Sequence, residues 1–477
     1  MAYIQFLGAA GTVTGSKHLI NTSPDSGGTR GFQVLIDCGL FQGHKQWRER
    51  NWRDTPIPAR EIDAVILTHA HMDHAGWVPR LIQEGFRGPI FATPPTVDLC
   101  GVLLPDSGHL QEEEAEYANK KKSSKHSPAL PLYTERQALE SLAYLKQVDF
   151  GQERRLSPEF SFRYLRAAHI LGSAMVEVKL ETPQGRRTLL FSGDVGRVHD
   201  TQIAPGKVIS TGPDDIERAD LMVIESTYGN RRHPTTDPRP ELARLIQEVA
   251  RRGGSVVVPA FAVERTQKLL FLFKDMMESG EIPRLPVFAD SPMAIQAMKI
   301  FVEYEQEFTE QTRRLIDRYG SPLSWEGFTF ASTAEESKRI NDARYPVIVV
   351  SSSGMVTGGR VLHHLALRLP DPRNLVLFVG FQAPGTRGAI IKSGASTVRI
   401  FGEEVPIRAQ VAALEQFSDH ADTPEMLEWL SSLKRPPGVT YLVHGEPDAS
   451  SAMRDAIVSA LHWKVEIAEW LQKVEVG

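Results

Sequence analysis

The sequence is poor in cysteine, in long apolar runs and in excess positive charge, and each shortage excludes a class of protein. Cys38 and Cys100 are the only cysteines among 477 residues, which excludes a disulfide framework and a thiolate zinc site. No stretch approaches the roughly 20 consecutive apolar residues that span a bilayer, so we expect no membrane partner. The net charge of −5 at pH 7 excludes a basic nucleic-acid coat, so nucleic-acid binding requires a local groove.

From the first residues and the overall composition we expect an intracellular globular protein. The segment MAYIQFLGAAGTVTGS lacks the basic start and the apolar core of a signal peptide. Hydrophobic residues make up 41% of the chain and charged residues 24%, which is typical of folded domains. We expect a cytoplasmic protein of two or three domains, and a homodimer is left open.

Potential metal ligands are concentrated directly after the apolar run DAVIL, which predicts a buried strand. His69 and His71 lie two residues apart, so an extended backbone directs both rings to one side. Asp73 and His74 come where a helix is predicted to begin, so they face a neighbouring point. One tetrahedral zinc takes about four ligands, and this loop alone offers four, which favours a two-metal site. The alternative is a polar loop whose histidines cap a helix or face solvent.

Three further candidate ligands stand at the ends of predicted strands, where loops carry chemistry. His169 ends YLRAAHI, Asp194 ends TLLFSGD, and His444 ends VTYLVHGE. Singly, each has a structural alternative, such as a carboxylate that caps a turn or an imidazole bonded to a carbonyl group. Jointly they complete two ligand sets. The expected sets are His69, His71 and His169 at one metal and Asp73, His74 and His444 at the other, with the two oxygens of Asp194 bridging them.

The middle of the chain differs in pattern from its two ends. Between about 212 and 395, short apolar runs such as GSVVVPAF and PVIVVSSSG end in small or polar residues, and helical patterns follow some of them. That alternation is typical of a parallel sheet covered by helices. The tail returns to strands, of which VTYLVHGEP is the last clear one.

The motifs resemble those of the metallo-β-lactamase superfamily and, within it, the β-CASP ribonucleases. The resemblance covers nearly the whole chain, because the motifs stand in family order. The histidine of the last motif is similar to that of the RNA-processing branch, which includes the endonuclease subunit of the mRNA cleavage and polyadenylation machinery and short bacterial relatives. The matching motifs are Asp37 in LIDCG, then HAHMDH, His169, Asp194, Glu225 in VIESTYG, His420 in FSDHAD and His444 in LVHGE.

The resemblance implies an α/β fold with a split domain. Residues 1–211 and 396–477 would form one αββα metallo-β-lactamase sandwich. Residues 212–395 would form the inserted β-CASP domain, a parallel sheet covered by helices.

The resemblance also implies a zinc-dependent ribonuclease that hydrolyses phosphodiester bonds of single-stranded RNA, as an endonuclease, an exonuclease or both. Two zinc ions per chain would activate a water molecule, with Asp73 as both ligand and catalytic residue. His420 would act as the general acid, and Glu225 would orient its imidazole. Asp37 would orient a ligand imidazole, unless it only shapes the turn in DCG.

Two rival functions remain. A lactamase, thioesterase or lactonase would share the sandwich, but such enzymes lack the long insertion and the pair formed by Glu225 and His420. A binding subunit with an inactive metal site would have lost ligands, whereas the candidate ligands are intact in this chain.

Two glycine-rich loops are candidates for binding RNA phosphates. SSSGMVTGGR precedes a predicted helix, where backbone amides can face an anion, and FQAPGTRG carries an arginine. Alone, such loops are more often tight turns. The candidate residues are Gly354, Gly358, Gly359, Arg360, Thr386 and Arg387.

Overall fold

A computed structural model describes residues 1–22, 30–53, 55–122, 124–198, 213–321, 325–343, 346–380 and 382–476. Its strands, in chain order, are β1 (Tyr3–Phe6), β2 (His18–Asn21), β3 (Gln33–Ile36), β4 (Ala64–Ile66), β5 (Ile90–Ala92), β6 (Leu145–Gln147), β7 (Arg154–Arg155), β8 (Phe160–Arg166), β9 (Ala174–Thr182), β10 (Gly185–Phe191), β11 (Leu221–Glu225), β12 (Ser255–Pro259), β13 (Val287–Asp290), β14 (Phe328–Phe330), β15 (Val347–Ser351), β16 (Leu375–Phe378), β17 (Thr397–Ile400), β18 (Glu403–Pro406), β19 (Gln410–Ala413), β20 (Val439–Val443), β21 (Val465–Ile467) and β22 (Lys473–Glu475).

The helices alternate with these strands. They are α1 (Lys45–Arg48), α2 (Met72–Ala75), α3 (Val78–Gln83), α4 (Pro94–Lys121), α5 (Glu135–Ser141), α6 (Arg239–Arg251), α7 (Arg265–Glu278), α8 (Pro292–Glu303), α9 (Glu310–Tyr319), α10 (Ala334–Arg339), α11 (Val361–Arg368), α12 (Arg387–Lys392), α13 (Thr423–Leu430) and α14 (Pro447–Leu461). Short 3₁₀ turns cover Glu49–Trp52, Ala59–Glu61, Leu142–Tyr144, Glu305–Glu307, Ile340–Asp342 and Glu415–Phe417. No helix within the described ranges is both long enough and apolar enough to cross a membrane.

The chain divides into two compact units. The sandwich unit contains the described residues up to 198, those from 213 to 232 and those from 419 onward, and the inserted unit contains residues 233–418. Both boundaries lie further along the chain than the expected positions 212 and 395. The reason is strand pairing: β11 pairs with β10 of the sandwich unit, and β19 pairs with β16 of the inserted unit.

The sandwich unit consists of two sheets that enclose a common core. Among the described residues their strand orders are β22-β1-β2-β3-β4-β5-β6 and β21-β20-β11-β10-β9-β8-β7. Alternate side chains of both sheets, such as Val34 and Ile36 of β3 and Val176 and Val178 of β9, meet in one buried cluster, as the two-residue period of a strand requires. Helices α13 and α14 bury apolar residues against the outer face of the second sheet, and α4 packs against β6 of the first.

The inserted unit is built on a parallel sheet. The strand order of that sheet is β14-β13-β15-β12-β16-β19, and its described pairs are parallel. Strands β17 and β18 form a separate antiparallel pair. Val256, Val257 and Val258 are consecutive in β12 and are all 0% exposed, which shows that both faces of the sheet are covered. A continuous apolar run is the signature of such a strand, so the expected parallel sheet with helical cover is confirmed.

Close backbone packing at Gly39 supports the loop that carries the candidate ligands. A Cβ atom on Gly39 would lie 1.6 Å from the carbonyl oxygen of Asp73. We therefore predict that Gly39→Ala lowers the free energy of unfolding by about 1–3 kcal/mol, as overpacking does. Gly101 in α4 is the matched control, because a Cβ atom there has no neighbour within 4 Å. Thermal melting of the two variants tests this, and equal melting temperatures would show that the close approach is not needed.

Candidate metal centre

Four side chains of the sandwich unit bring one donor atom each to a common point. His71 Nδ1 lies 3.1 Å from His69 Nε2 and 3.3 Å from His169 Nε2. The Oδ2 atom of Asp194 lies 3.6 Å from each of those two Nε2 atoms. A tetrahedron with Zn–N bonds of roughly 2.0–2.1 Å has edges of roughly 3.3–3.4 Å. These four atoms therefore fit the ligand set of one metal ion.

A second group adjoins the first through the same carboxylate. His444 Nε2 lies 3.3 Å from His74 Nε2 and 3.4 Å from Asp73 Oδ2. Asp194 turns its other oxygen, Oδ1, to this group, 3.3 Å from His74 Nε2. Oδ1 is buried and makes no well-aligned hydrogen bond among the described residues, although His74 Nε2 and His444 Nδ1 lie 3.3 and 3.4 Å from it. A buried carboxylate oxygen without such a bond needs an explanation, and a second metal ion between these donors would supply it.

The first sheet positions the histidine-rich loop. Strand β4 ends at Ile66, and the chain then passes through His69 and His71 before α2 begins at Met72. The rings of His69 and His71 reach the same point, as their spacing predicted. The helix expected after them is divided into α2 and α3, because Gly76 and Trp77 interrupt it.

The second sheet brings the remaining donors to the same edge of the sandwich. β10, β11 and β20 run parallel to one another, so their carboxyl ends meet. Asp194 follows β10, Glu225 ends β11, and His444 follows β20. His169 lies in the turn between β8 and β9. The sequence therefore predicted correctly that these side chains lie at strand ends.

Asp37 makes hydrogen bonds to two residues of the histidine-rich loop, His74 and Thr68. Its Oδ2 atom accepts a hydrogen bond from His74 Nδ1 at 2.7 Å, and its Oδ1 atom accepts from the backbone amide of Thr68 at 2.7 Å. The hydroxyl group of Thr68 also donates to Oδ2, at 3.0 Å. Because Nδ1 of His74 is occupied in this way, its Nε2 atom faces the second group of donors.

His420 and Glu225 form a hydrogen-bonded pair beside the first group. His420 Nδ1 lies 3.0 Å from Glu225 Oε2, and the His420 ring centroid is 4.5 Å from that of His169. Burial opposes the charged form of His420, but the charge of Glu225 and its hydrogen bond outweigh burial and raise the pKa of His420 to about 9. Glu225 is itself held by the backbone amide of Val195 and the hydroxyl group of Thr227, which both donate to it.

The first donor group favours neutral imidazoles. Burial, followed by the charge of His74, holds the pKa of His69 well below its usual value. Burial, followed by the charge of His420, does the same to the pKa of His169. A neutral imidazole has the lone pair that a metal ion requires, so both rings are in the form that binds metal.

In and around the second donor group, carboxylates and imidazoles shift one another's pKa values. Burial alone would lower the pKa of His74, but Asp194 and Asp37 outweigh it and hold that pKa well above its usual value. Burial would likewise raise the pKa of Asp194, but His444 and His74 hold it well below the usual range. The carboxylate of Asp194 is therefore ionised and available to both groups.

Two threonines that the sequence analysis missed contact the candidate ligands His69 and His444 through their hydroxyl groups. Thr68 Oγ1 lies 3.0 Å from His69 Nδ1, and Thr227 Oγ1 lies 3.0 Å from His444 Nδ1. The signal for Thr68 is its place directly before His69, and that for Thr227 is its place two residues after Glu225. Small hydroxyl residues next to predicted ligands are therefore candidates for orienting them.

The glycine-rich loops lie in the inserted unit. Arg360 pairs with Asp290 at 2.8 Å and also donates to the carbonyl oxygen of Ala331. Among the described residues, no backbone carbonyl accepts from the amides of the three candidate glycines, Gly354, Gly358 and Gly359. Gly354 is buried, whereas Gly358 and Gly359 are partly exposed.

The second loop is joined to the first. Arg387 donates to the carbonyl oxygens of Thr357 at 2.9 Å and of Arg399 at 2.8 Å. The hydroxyl oxygen of Thr386 accepts from the backbone amide of Ala389 and caps α12. Thr386 and Arg387 thus have structural contacts of their own.

Three family models match the chain. The metallo-β-lactamase superfamily matches residues 28–86, and the β-CASP domain matches residues 266–391. A model described as a Zn-dependent metallo-hydrolase RNA specificity domain matches residues 404–468. The first match contains the histidine-rich loop, and the third contains His420 and His444. The families therefore indicate a metal cofactor.

The chain is also similar to curated proteins along most of its length. It is 37% identical to Ribonuclease TTHA0252 of Thermus thermophilus, over 94% of either chain. It is 30% identical to Transcription termination factor FttA of Methanocaldococcus jannaschii, over 95% of this chain and 68% of the relative. A crystal structure of a protein of unknown function from Enterococcus faecalis V583 shares the fold, with a TM-score of 0.51 and 12% identity over 99% of either chain.

Fold, family models and relatives agree with the resemblance noted in the sequence. The two sheets of the sandwich unit and the parallel sheet of the inserted unit are the metallo-β-lactamase and β-CASP domains that the models describe. The chain belongs to the β-CASP ribonucleases, metal-dependent hydrolases of the metallo-β-lactamase superfamily.

Proposed function

We propose that this protein hydrolyses phosphodiester bonds of single-stranded RNA with two zinc ions per chain and His420 as the general acid. The observation that carries the proposal is that Asp194 Oδ2 joins the donors of the first group, while its Oδ1 atom lies 3.3 Å from His74 Nε2 of the adjoining second group. The pair formed by His420 and Glu225 lies directly beside them. Ligands for metal and a proton donor are what hydrolysis of a phosphodiester requires.

The donor set supports zinc as the metal. One site would be formed by His69, His71 and His169 and the other by Asp73, His74 and His444, with Asp194 shared. Imidazole nitrogens outnumber carboxylates, and such sets suit zinc better than magnesium or calcium. When bound, a zinc pair lowers the pKa of a water molecule and offsets the charge of the phosphate.

His420 would supply the proton for the leaving oxygen. Its Nδ1–H donates to Glu225, so Nε2 carries the proton that is transferred. As the water oxygen bonds to phosphorus and the P–O bond breaks, that proton passes from Nε2 to the departing oxygen. Glu225 acts as a positioning residue, because its carboxylate fixes the ring and favours the imidazolium form.

RNA is the substrate that the comparisons support, and we propose that it is single-stranded. One relative, which the chain matches over 94% of its length, is named a ribonuclease. One matching family model is described as an RNA specificity domain. We propose that the amides of Gly354, Gly358 and Gly359, with Thr386 and Arg387, bind RNA phosphates in the inserted unit. Arg360 would support that loop through Asp290.

We predict that the zinc-loaded protein cleaves labelled single-stranded RNA and leaves β-lactams and thioesters intact. RNA affinity should fall as salt rises, because phosphate contacts release counterions. Gel analysis of 5′- and 3′-labelled RNA measures the cleavage and also distinguishes endonuclease from exonuclease products. Turnover of a thioester by a preparation that leaves RNA untouched would contradict the proposal.

We predict that alanine substitutions of His444 and His420 have different effects on zinc content and on turnover. His444→Ala should lose one zinc together with activity, whereas His420→Ala should keep both zinc ions and RNA binding while turnover falls roughly 10²–10⁴-fold. Glu225→Gln should have a milder form of the His420 defect, because the ring loses its orientation but remains. His109, exposed on α4, is the matched control. Elemental analysis and single-turnover assays test this, and loss of zinc from His420→Ala would make His420 a ligand.

We predict that Asp37→Asn weakens zinc binding roughly 10–100-fold, as loss of a group behind a metal ligand does. The amide offers one acceptor atom where the carboxylate receives the His74 ring and two groups of Thr68. Competition with a chelator measures the affinity. Asp149→Asn on the exposed surface is the control. Equal zinc affinity in both variants would show that Asp37 shapes the turn without supporting a metal ligand.

A further inference from the structure

A single guanidinium group of the sandwich unit lies among three aromatic rings. The Cζ atom of Arg50 is 3.9 Å from the ring centroid of Trp470, 4.3 Å from that of Trp47 and 5.5 Å from that of Phe41. We call these four residues the Arg50 cluster. Arginine above a ring face is held by the charge distribution of the ring and retains its full positive charge.

The charge of Arg50 is not neutralised by an acid. Among the described residues no carboxylate pairs with it, and its buried Nη1 atom has no hydrogen-bond partner. Glu49 is the only acidic residue between 44 and 53, and it lies 3.5 Å from Lys45. The same segment carries Arg48 and Arg53, both exposed. In a chain of net charge −5, this is a local surface of positive charge.

Two paths of backbone and side-chain hydrogen bonds connect the cluster to the second donor group. Leu40, directly before Phe41, donates its amide to the carbonyl oxygen of Met72, directly before Asp73, at 2.8 Å. Trp470 Nε1 donates to the carbonyl oxygen of Leu7 at 3.2 Å. Two residues further on, the carbonyl oxygen of Ala9 accepts from the backbone amide of His444 at 2.7 Å. The cluster therefore lies on the metal-binding edge of the sandwich, on the side of Asp73 and His444.

Two tryptophans of this region are exposed to solvent. Trp470 is 39% exposed, and Trp52, at the end of the same segment, is 53% exposed. Exposed aromatic rings beside unpaired cations are the elements with which proteins bind single-stranded nucleic acid, since bases stack on the rings and phosphates meet the cations.

We propose that the Arg50 cluster binds the RNA strand next to the metal centre, with a base stacked on Trp470 and a phosphate facing Arg50. This inference rests on the proposed function and specifies where the sandwich unit contacts its substrate. The alternative is that Arg50 only joins the segment 41–52 to the chain around Trp470. RNA affinity separates the two, because a purely structural contact would leave it unchanged.

The test uses the full-length, zinc-loaded His420→Ala protein as the parent, so that bound RNA is not consumed. Fluorescence anisotropy with a labelled oligoadenylate of roughly ten nucleotides gives the dissociation constant at several salt concentrations. Arg50→Gln and Trp470→Phe should each raise the dissociation constant about 5- to 100-fold, the range for losing one stacked base. Arg50→Gln should also reduce the salt slope by about 0.7, the value for one phosphate contact with a single strand.

Two further readouts complete the design. RNA should quench the tryptophan fluorescence of the parent, and Trp470→Phe should lose part of that quenching. Arg186→Gln is the matched control, because Arg186 pairs with Glu181 near the β9–β10 turn, at the ends of those strands remote from the ligands. Zinc content and melting temperature, equal to those of the parent, show that each variant is folded.

The possible results are distinguishable. Parent-like affinity, salt slope and quenching in both variants would overturn the inference and leave the proposed function intact. If Trp470→Phe does not fold, Arg50→Gln decides by the same measurements. Absence of RNA cleavage by the wild-type protein would contradict the proposed function itself, and the inference with it.

Discussion

The buried carboxylate of Asp194 is the group on which the sandwich unit depends, because it faces imidazoles on two sides. It is 2% exposed, and an ionised carboxylate at such a place is costly unless opposite charge or hydrogen bonds compensate it. Its Oδ2 atom lies 3.6 Å from Nε2 of His69 and of His169, and its Oδ1 atom lies 3.3 Å from His74 Nε2 and 3.4 Å from His444 Nδ1. Hydrogen bonds with other residues orient the rings of His69, His74 and His444. The donor groups therefore depend on the pairing of the strands that carry these residues.

That constraint explains several local features of the backbone. Asp37 and His444 adopt φ angles of +60° and +49°, which are uncommon for residues other than glycine and occur where function requires an unusual backbone. Gly39 and Gly196 touch the carbonyl oxygens of Asp73 and Ala168, each at a distance that excludes a Cβ atom. An unusual backbone and close packing thus occur beside the candidate ligands, whereas the strands behind them form an ordinary alternating core.

The candidate ligands could be picked out from the sequence because they follow apolar strand patterns at short, fixed spacings. The parallel sheet of the inserted unit was predictable for the same reason, since VVV in β12 is buried on both faces. The domain boundaries could not be placed from the sequence, because the apolar patterns of β11 and β19 do not indicate which sheet each strand joins. Arg360 stood out for its position in a glycine-rich loop, but its partner Asp290 lies 70 residues away in sequence. Contacts between residues so far apart in sequence, such as that of Arg50 with Trp470, cannot be predicted from the local sequence pattern.

The central claim is that one carboxylate joins two metal sites. Diffraction from crystals of the zinc-loaded protein, collected at the zinc absorption edge, tests it most directly. We predict two anomalous peaks per chain about 3.5–4 Å apart, one next to His69, His71 and His169 and the other next to Asp73, His74 and His444, with one oxygen of Asp194 at each. A single peak, or two peaks that Asp194 does not join, would contradict the account.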